Sequence, residues 1–388
     1  MTQTKIGIFT PAPLEFFGGG EIFVIKLANL LISKGYEVSV ISNAISHVSP
    51  RVTESTTRKL LNCENARKTF AYNTASRYLK YWFQPLPQKD LLTSNNINLI
   101  LVYRPPPKKY LKSLGHLNFR AVFMFHGITI EQLSGSGMRV KAFEEMVKLR
   151  LEHLKSCFAG QNSFCQVLNG PTYNFLLNTG FRKQNVFLIP FSIDFNPYKV
   201  QRNDKTFQIA FIGRMNRHQK GLDLLVNVVN SISSRRYTDV TFIILGSGPD
   251  ERIVEKLSER FEKVNFRGYV SESEKIDYLS TSNLMIATSN IDPFPASIQE
   301  GLACGLPVVS TNVSGAMDML SRNPSLGRLS SHSVNEFVSH VMEYYANWAN
   351  DKEDYFKRKQ IRRENATNLF DMSSMMNNYV EMIETIKS

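Results

Sequence analysis

The sequence predicts an α/β protein built from repeated strand–loop–helix units, in a chain long enough for two domains. Three stretches carry this reading. Lys5-Ile6-Gly7-Ile8-Phe9-Thr10 reads as an opening strand, and a glycine-rich turn, an apolar-periodic helix and a second strand follow it. A second unit starts with the strand Gln208–Ile212, closes it with Gly213-Arg214 and enters the helix Leu222–Val229. A third leads from the strand Asn283–Ser289 through two prolines into the helix Ala296–Cys304, then out to the strand Val308–Thr311. With 388 residues there is enough chain to bury two cores.

Composition narrows the class. The apolar share of 43% and charged share of 21% are ordinary for a globular protein. No run approaches the roughly 18 apolar residues of a membrane span, and the opening segment reads as a strand rather than a secretory signal. Cys63, Cys157, Cys165 and Cys304 are scattered without metal-like spacing and read as reduced packing residues, which suits the cytoplasm. The net charge of +12 is uneven: residues 1–190 hold 23 Lys and Arg against 10 Asp and Glu, and residues 191–388 hold 23 against 24. Such a split asks for an anionic partner or membrane surface. Nucleic acid is a competing partner, but no nucleic-acid reading motif accompanies the cations.

In the first half, Gly18-Gly19-Gly20-Glu21 precedes a helix, Ile22–Lys34, whose Phe23, Leu27, Leu30 and Leu31 recur with helical period. Glycines there let a ligand approach a helix amino terminus closely. Gly35 ends the helix and Glu37–Ser42 is the next strand; the spacing is Rossmann-like, although G-x-G-x-x-G is absent. Residues 51–92 interleave Arg67, Lys68, Arg77 and Lys80 with Phe70, Tyr72, Tyr78, Tyr81, Trp82 and Phe83. Two readings stand for them: a membrane-interface segment, or a solvated helix with its aromatics turned inward. Ile97–Tyr103 is a strand, followed by the basic turn Arg104-Pro105-Pro106-Pro107. The strand from Arg120 carries His126 at its carboxyl end, the edge where doubly wound sheets bind ligands. A basic helix at 139–158 and strands at Ser163–Leu168 and Asn185–Phe191 complete this half.

In the second half, Arg214 and Lys220 flank one strand–loop–helix turn, where a planar fork and a compact charge can both reach a diphosphate. Val240–Leu245 is a strand ending in Gly246-Ser247-Gly248, and Val264–Val270 is another. Asp292 sits at a strand's carboxyl end, and Glu300 lies about two turns along the next helix. Two carboxylates flanking a helix amino terminus form a clamp for a nucleotide sugar, acids for hydroxyls and helix end for phosphate. Phe370–Ile386 reads as a last helix.

Asp292, seven residues, Glu300 and then Gly305-Leu306-Pro307-Val308-Val309 resemble the E-x7-E region of the retaining glycosyltransferases of family 4, the glycosyl transferases group 1. Gly213-Arg214 with Lys220-Gly221, the Gly-Gly-x-Glu loop at Gly18 to Glu21, Arg267-Gly268-Tyr269-Val270 and the junction Pro190–Asp194 are similar to that family's marks. The resemblance is strongest over 208–316 and weakest over 45–120. It implies the GT-B fold, two Rossmann-like domains facing a central cleft. Residues 1–192 would bind acceptor, 193–365 nucleotide sugar, and 366–388 would return as a helix to the first domain. It also implies retaining transfer from a UDP- or GDP-sugar to a glycan or lipid-linked phosphate acceptor, peripheral on the cytosolic membrane face.

No metal or cofactor is expected, and the sequence has no Asp-x-Asp. His126, Arg214, Lys220 and Asp292 would carry catalysis. Gly19, Gly20, Arg214, Lys220, Tyr269, Val270, Asp292, Phe294, Ala296, Ser297 and Glu300 would bind donor, Glu300 through the ribose and Asp292 through the sugar. Glu21, Arg104 and His126 would face acceptor. Asp292 stands where the family usually has Glu, and Pro295 where Gly is common. Two alternatives are another GT-B sugar-nucleotide enzyme of the epimerase type and a basic nucleic-acid-binding protein.

Overall fold

Among the described residues, seven strands from the first half and six from the second form two separate parallel sheets. The computed structural model describes residues 5–10, 19–42, 60–62, 92–93, 96–103, 120–124, 163–235, 237–370 and 372–387. The first sheet uses β1 (Lys5–Thr10), β2 (Glu37–Ser42), β3 (Leu60–Asn62), β4 (Leu99–Tyr103), β5 (Arg120–Met124), β6 (Ser163–Val167) and β7 (Val186–Leu188). Their order across the sheet is β3-β2-β1-β4-β5-β6-β7. The second uses β8 (Phe207–Ile212), β9 (Val240–Leu245), β10 (Val264–Gly268), β11 (Leu284–Ala287), β12 (Val308–Thr311) and β13 (Gly327–Ser330), in the order β10-β9-β8-β11-β12-β13. Every pair is parallel. Central strands β4, β11 and β12 are buried at every residue, as apolar strands covered by helices on both faces must be.

Around the strands run α1 (Gly19–Ser33), α2 (Gly170–Asn178), α3 (Arg217–Lys220), α4 (Leu222–Ser233), α5 (Arg252–Arg260), α6 (Glu272–Ser280), α7 (Ala296–Ala303), α8 (Ser314–Leu320), α9 (Val334–Asn350), α10 (Lys352–Leu369) and α11 (Met372–Lys387). The helix α4 buries Leu222, Leu225, Val228, Val229 and Ile232, the helical stripe visible in the sequence. Ser271 and Glu274 close a capping box that starts α6. The last helix buries Met375, Met376, Tyr379, Met382, Ile383 and Ile386 in one cluster with Ile6, Ile8, Val24 and Leu27 of the first half. The chain therefore ends against the half it began in.

Several boundaries move from their sequence positions. The helix α1 begins at Gly19, three residues before Ile22, because first-turn amides have no helical partner and glycine costs little there. The strand β10 stops at Gly268, short of Val270, where φ of 62° breaks the extended backbone and the pairing with β9 slips. The strand β11 starts after Asn283, whose side-chain oxygen accepts the Gln208 amide at 3.0 Å. Within 51–92, described residues include only β3 and Leu92, and the basic helix expected at 139–158 lies outside the described residues.

The helix α10 buries two cations, Lys359 and Arg362, in line with Tyr355 and Ala366. Its buried Lys359 donates Nζ to the carbonyls of Gln201 (2.9 Å) and Ser282 (2.7 Å). Arg362 donates to the carbonyls of Ser325 (2.6 Å) and Gly305 (2.8 Å). Two cations thus satisfy loop carbonyls that would otherwise be buried without partners, a role usually left to backbone or water. Burial pulls the Lys359 ammonium down to about 7, opposed by Cys304 and helped by Arg362. The neutral amine still has two hydrogens for its two carbonyls. Cys304, like Cys165, is a buried free thiol.

The unfolded chain keeps the Lys359 proton up to its ordinary 10.5, while the folded chain releases it near 7. Stability should therefore rise as pH climbs between those values. Thermal unfolding from pH 7 upward should show this rise, and Lys359→Met should remove it while costing about 1–3 kcal/mol through two unpaired carbonyls. A pH profile identical in both proteins would contradict the assignment.

Candidate active site

The order of the second sheet reverses between β8 and β11, and in such sheets ligands bind outside the carboxyl ends of the strands at this point of reversal. After β8 the chain passes Gly213, exposed Arg214 and buried Met215, whose amide donates to the Ser247 carbonyl at 2.9 Å. Asn216 caps the single turn of α3 by accepting the Gln219 amide at 2.9 Å. Gly221 then ends α3 and starts α4 with φ of 60°. A Cβ at this position would overlap the Thr288 carbonyl oxygen, so the turn lies directly on the exit of β11.

Further bonds lace the two loops together. Thr288 Oγ1 donates to the Lys220 carbonyl at 2.8 Å, the Asn290 amide to Gln219 at 3.0 Å, and Asn290 Nδ2 to His218 at 2.8 Å. This lacing brings Lys220 Nζ within 2.6 Å of Asp292 Oδ2, with the two side chains only 14% and 9% exposed. The Gly315 amide, at the start of α8, donates to the Asp292 carbonyl at 3.2 Å and fixes its backbone. Asn169, at the end of β6, donates Nδ2 to the Pro293 carbonyl at 2.7 Å while its Oδ1 caps α2, so the first half grips the same loop.

The next helix, α7, opens at Pro295 with no side-chain cap, and the Ile298 amide turns back to the Pro295 carbonyl at 3.1 Å. Along it, Glu300 Oε1 accepts Lys275 Nζ of α6 at 2.6 Å, and Lys275 also reaches Glu272 Oε2 at 2.9 Å. Burial pushes the Glu300 carboxyl up; Lys275 and, from α1, Lys26 oppose it. For Lys275, burial works against the ammonium, but Glu300 and Glu272 together raise its pKa above the ordinary lysine value. The neighbouring Gln299 is fully buried. Its Oε1 accepts the Ile193 amide at 3.0 Å and its Nε2 donates to the Phe191 carbonyl at 2.7 Å, which ties α7 to the segment joining the two halves. Within that segment Ser192 donates Oγ to the Phe370 carbonyl, next to the start of α11.

Of the residues singled out in the sequence, Lys220 and Asp292 meet directly, with Arg214 on the same turn and Ala296, Ser297 and Glu300 following on α7. Tyr269 stands 73% exposed just past β10, and Val270 is half-buried against the core. The Phe294 ring is buried and meets Phe370 edge-on, with ring centroids 6.4 Å apart. Gly19 and Gly20 form the first turn of α1. His126, Arg104 and the Glu21 side chain lie outside the described residues. Lys275 and Gln299 were not singled out. Lys275 shows in the sequence only as one of a local Glu272–Lys275 pair, and nothing there places it beside Glu300.

Residues 206–347, the second sheet with its helices, match the family described as glycosyl transferases group 1. A human phosphatidylinositol N-acetylglucosaminyltransferase chain is 24% identical over 324 residues, 79% of this chain and 61% of its own length. The chain thus spans less than two thirds of that relative. A sucrose-phosphate synthase from Thermosynechococcus elongatus shares the fold with a TM-score of 0.76 at 17% identity, over 99% of both chains. Anabaena HepE, solved with UDP and glucose, shares it at 0.70 and 17%, over 98% of this chain and 100% of HepE. The two-sheet architecture is the GT-B fold.

Gly221→Ala should disturb the site and the fold together. The left-handed backbone alone costs an L-residue about 1–2 kcal/mol, and overlap with the Thr288 carbonyl adds to it. Chemical denaturation should show a loss beyond that range, and an unchanged midpoint would contradict the close contact.

Proposed function

We propose that the protein is a metal-independent, retaining glycosyltransferase that moves a sugar from a UDP- or GDP-sugar to a hydroxyl of an anionic, lipid-linked acceptor. The Lys220–Asp292 pair outside the carboxyl ends of β8 and β11, with Arg214 on the same turn, carries this reading. Arg214, Lys220 and the open start of α7 would receive the donor's diphosphate, where negative charge grows as the sugar leaves. These cations would do what a bound metal does for a leaving phosphate in other sites. Asp292 would hold Lys220 in place and accept from a sugar hydroxyl, and Glu300 would accept from the ribose.

Retention follows if the acceptor hydroxyl attacks on the face that the diphosphate leaves. The bond from the anomeric carbon to phosphate oxygen breaks, the bond to acceptor oxygen forms, and the hydroxyl proton passes to the departing diphosphate. His126 would face donor and acceptor, with Glu21 and Arg104 on the acceptor side. Aspartate at 292 is one methylene shorter than glutamate, about 1.5 Å, so the sugar must sit closer or offer a different hydroxyl. Pro295 offers no N–H to a phosphate.

The acceptor class has two supports. The first is the charge split, 23 Lys and Arg against 10 Asp and Glu over residues 1–190. The second is that two relatives are named for phosphatidylinositol and phosphatidyl-myo-inositol. No helix among the described residues is long and apolar enough to cross a membrane, and a basic surface on an anionic leaflet would deliver the acceptor by peripheral contact.

Sugar transfer into the lipid fraction, assayed with UDP- and GDP-sugars and phosphoinositide-containing vesicles, tests this directly. Wild-type protein should label lipid in anionic vesicles and much less in neutral ones. Arg214→Ala and Lys220→Ala should each lower turnover by about 10²–10³, one preorganised donor to the leaving group being worth that much. Lys220→Ala also strands the Asp292 carboxylate, so turnover is to be read on protein shown folded by circular dichroism. Near-normal turnover in both variants, or conversion of donor without acceptor, would contradict the proposal.

A further inference from the structure

Glu300 is not alone in its slot. Lys275 comes to it from a different helix, 25 residues earlier, and closes to 2.6 Å. Both side chains are largely buried, at 15% and 14% exposure. Lys275 is itself held from behind: its second bond goes to Glu272 Oε2 at 2.9 Å, and Glu272 Oε1 accepts the Tyr198 hydroxyl at 3.3 Å. Tyr198, Glu272, Lys275 and Glu300 therefore form one chain of contacts, anchored near the joining segment and ending at the proposed ribose site.

We propose that Lys275 is a positioning residue of the donor site: its ammonium grips one oxygen of Glu300 and leaves the other to accept the ribose hydroxyls of the nucleotide. This deepens the reading of Glu300 given above and rests on it. A charged carboxylate is the better acceptor, since hydrogen bonds to ionised groups are roughly twice as strong as neutral ones. The groups that act on Glu300 are Lys275 and Glu272 from α6 and Lys26 from α1, and the Tyr198 phenol near the joining segment interacts with it as well. Burial alone favours the neutral acid, Glu272 adds to that, and the two lysines oppose it. Lys26 is exposed and screened by solvent, which leaves Lys275 as the buried counter-charge.

A merely structural pair knitting α6 to α7 would change stability and nothing else. A positioning pair changes how nucleotide binding responds to pH. Without Lys275 the Glu300 carboxyl should take up a proton nearer neutrality, so nucleotide affinity should fall as pH falls and recover as pH rises.

Calorimetric titration with UDP, and with GDP as a second probe, between about pH 5.5 and 8.5 reads this for the wild type, Lys275→Met, Lys275→Gln, Lys275→Arg and Glu300→Gln. The wild type should bind with little pH dependence. Lys275→Met, or Lys275→Gln if the first does not fold, should lose about tenfold or more at the acid end and regain most of it at the alkaline end. Lys275→Arg should restore the flat profile, and Glu300→Gln should bind weakly at every pH. With 2′,3′-dideoxy-UDP the difference between the wild type and Lys275→Met should vanish. If Lys275→Met and Lys275→Gln bind like the wild type at all pH values while Glu300→Gln is weak, Lys275 has no positioning role and the reading of Glu300 stands. If Glu300→Gln binds UDP and GDP as the wild type does, or if neither nucleotide binds the wild type, the reading of Glu300 itself falls.

Discussion

The contact between Gly221 and the Thr288 carbonyl is the constraint on which the site depends. A left-handed glycine allows the α3–α4 turn to rest on the exit of β11 with no side chain between. Once the backbones touch, Thr288 and Asn290 can bond across to Lys220, His218 and Gln219, and the Lys220 ammonium has only a short reach to Asp292. Moving the turn outward by one side chain would separate a cation and a carboxylate that now share a partly buried pocket. Sheet order explains why the contact is here: β8 and β11 are neighbours across the point of reversal.

The helix α7 is the other organising element, and its successive residues point to different tasks. Glu300 turns to Lys275, and Gln299 turns to the joining segment, where its amide behaves like a stretch of backbone by accepting from Ile193 and donating to Phe191. Ser192, between those two, bonds to Phe370 and Met375 on the returning chain. Both passages between the halves are therefore fastened at one place, beside the proposed nucleotide site. Asn169 adds a hold from the first half on the Pro293 carbonyl. A nucleotide seated on α7 would press on the helix that anchors the joining segment.

Much of this was legible in the sequence because it depends on local rules. Strand–glycine–cation–helix at 208–229 and strand–proline–helix at 283–304 fix where Arg214, Lys220, Asp292 and Glu300 must lie relative to strand ends. The return of the last helix to the first half was also expected, from the family resemblance alone. What was not legible depends on pairing between distant elements. Lys275 and Glu300 sit on separate helices, and Gln299 looks like any surface amide until the joining segment is laid beside it. The helix α10 buries Lys359 and Arg362 on the same face as Tyr355 and Ala366, against the usual place of charged residues. Only the carbonyls facing them account for it.

On the proposed function, a nucleoside diphosphate sugar binds outside the carboxyl ends of β8 and β11. A crystal structure of the protein with UDP or GDP tests it most directly. The diphosphate should lie against Arg214, Lys220 and the start of α7, with the ribose hydroxyls within hydrogen-bond distance of Glu300. Density for the nucleotide elsewhere, such as over the first sheet, or a ribose turned away from Glu300, would contradict the account.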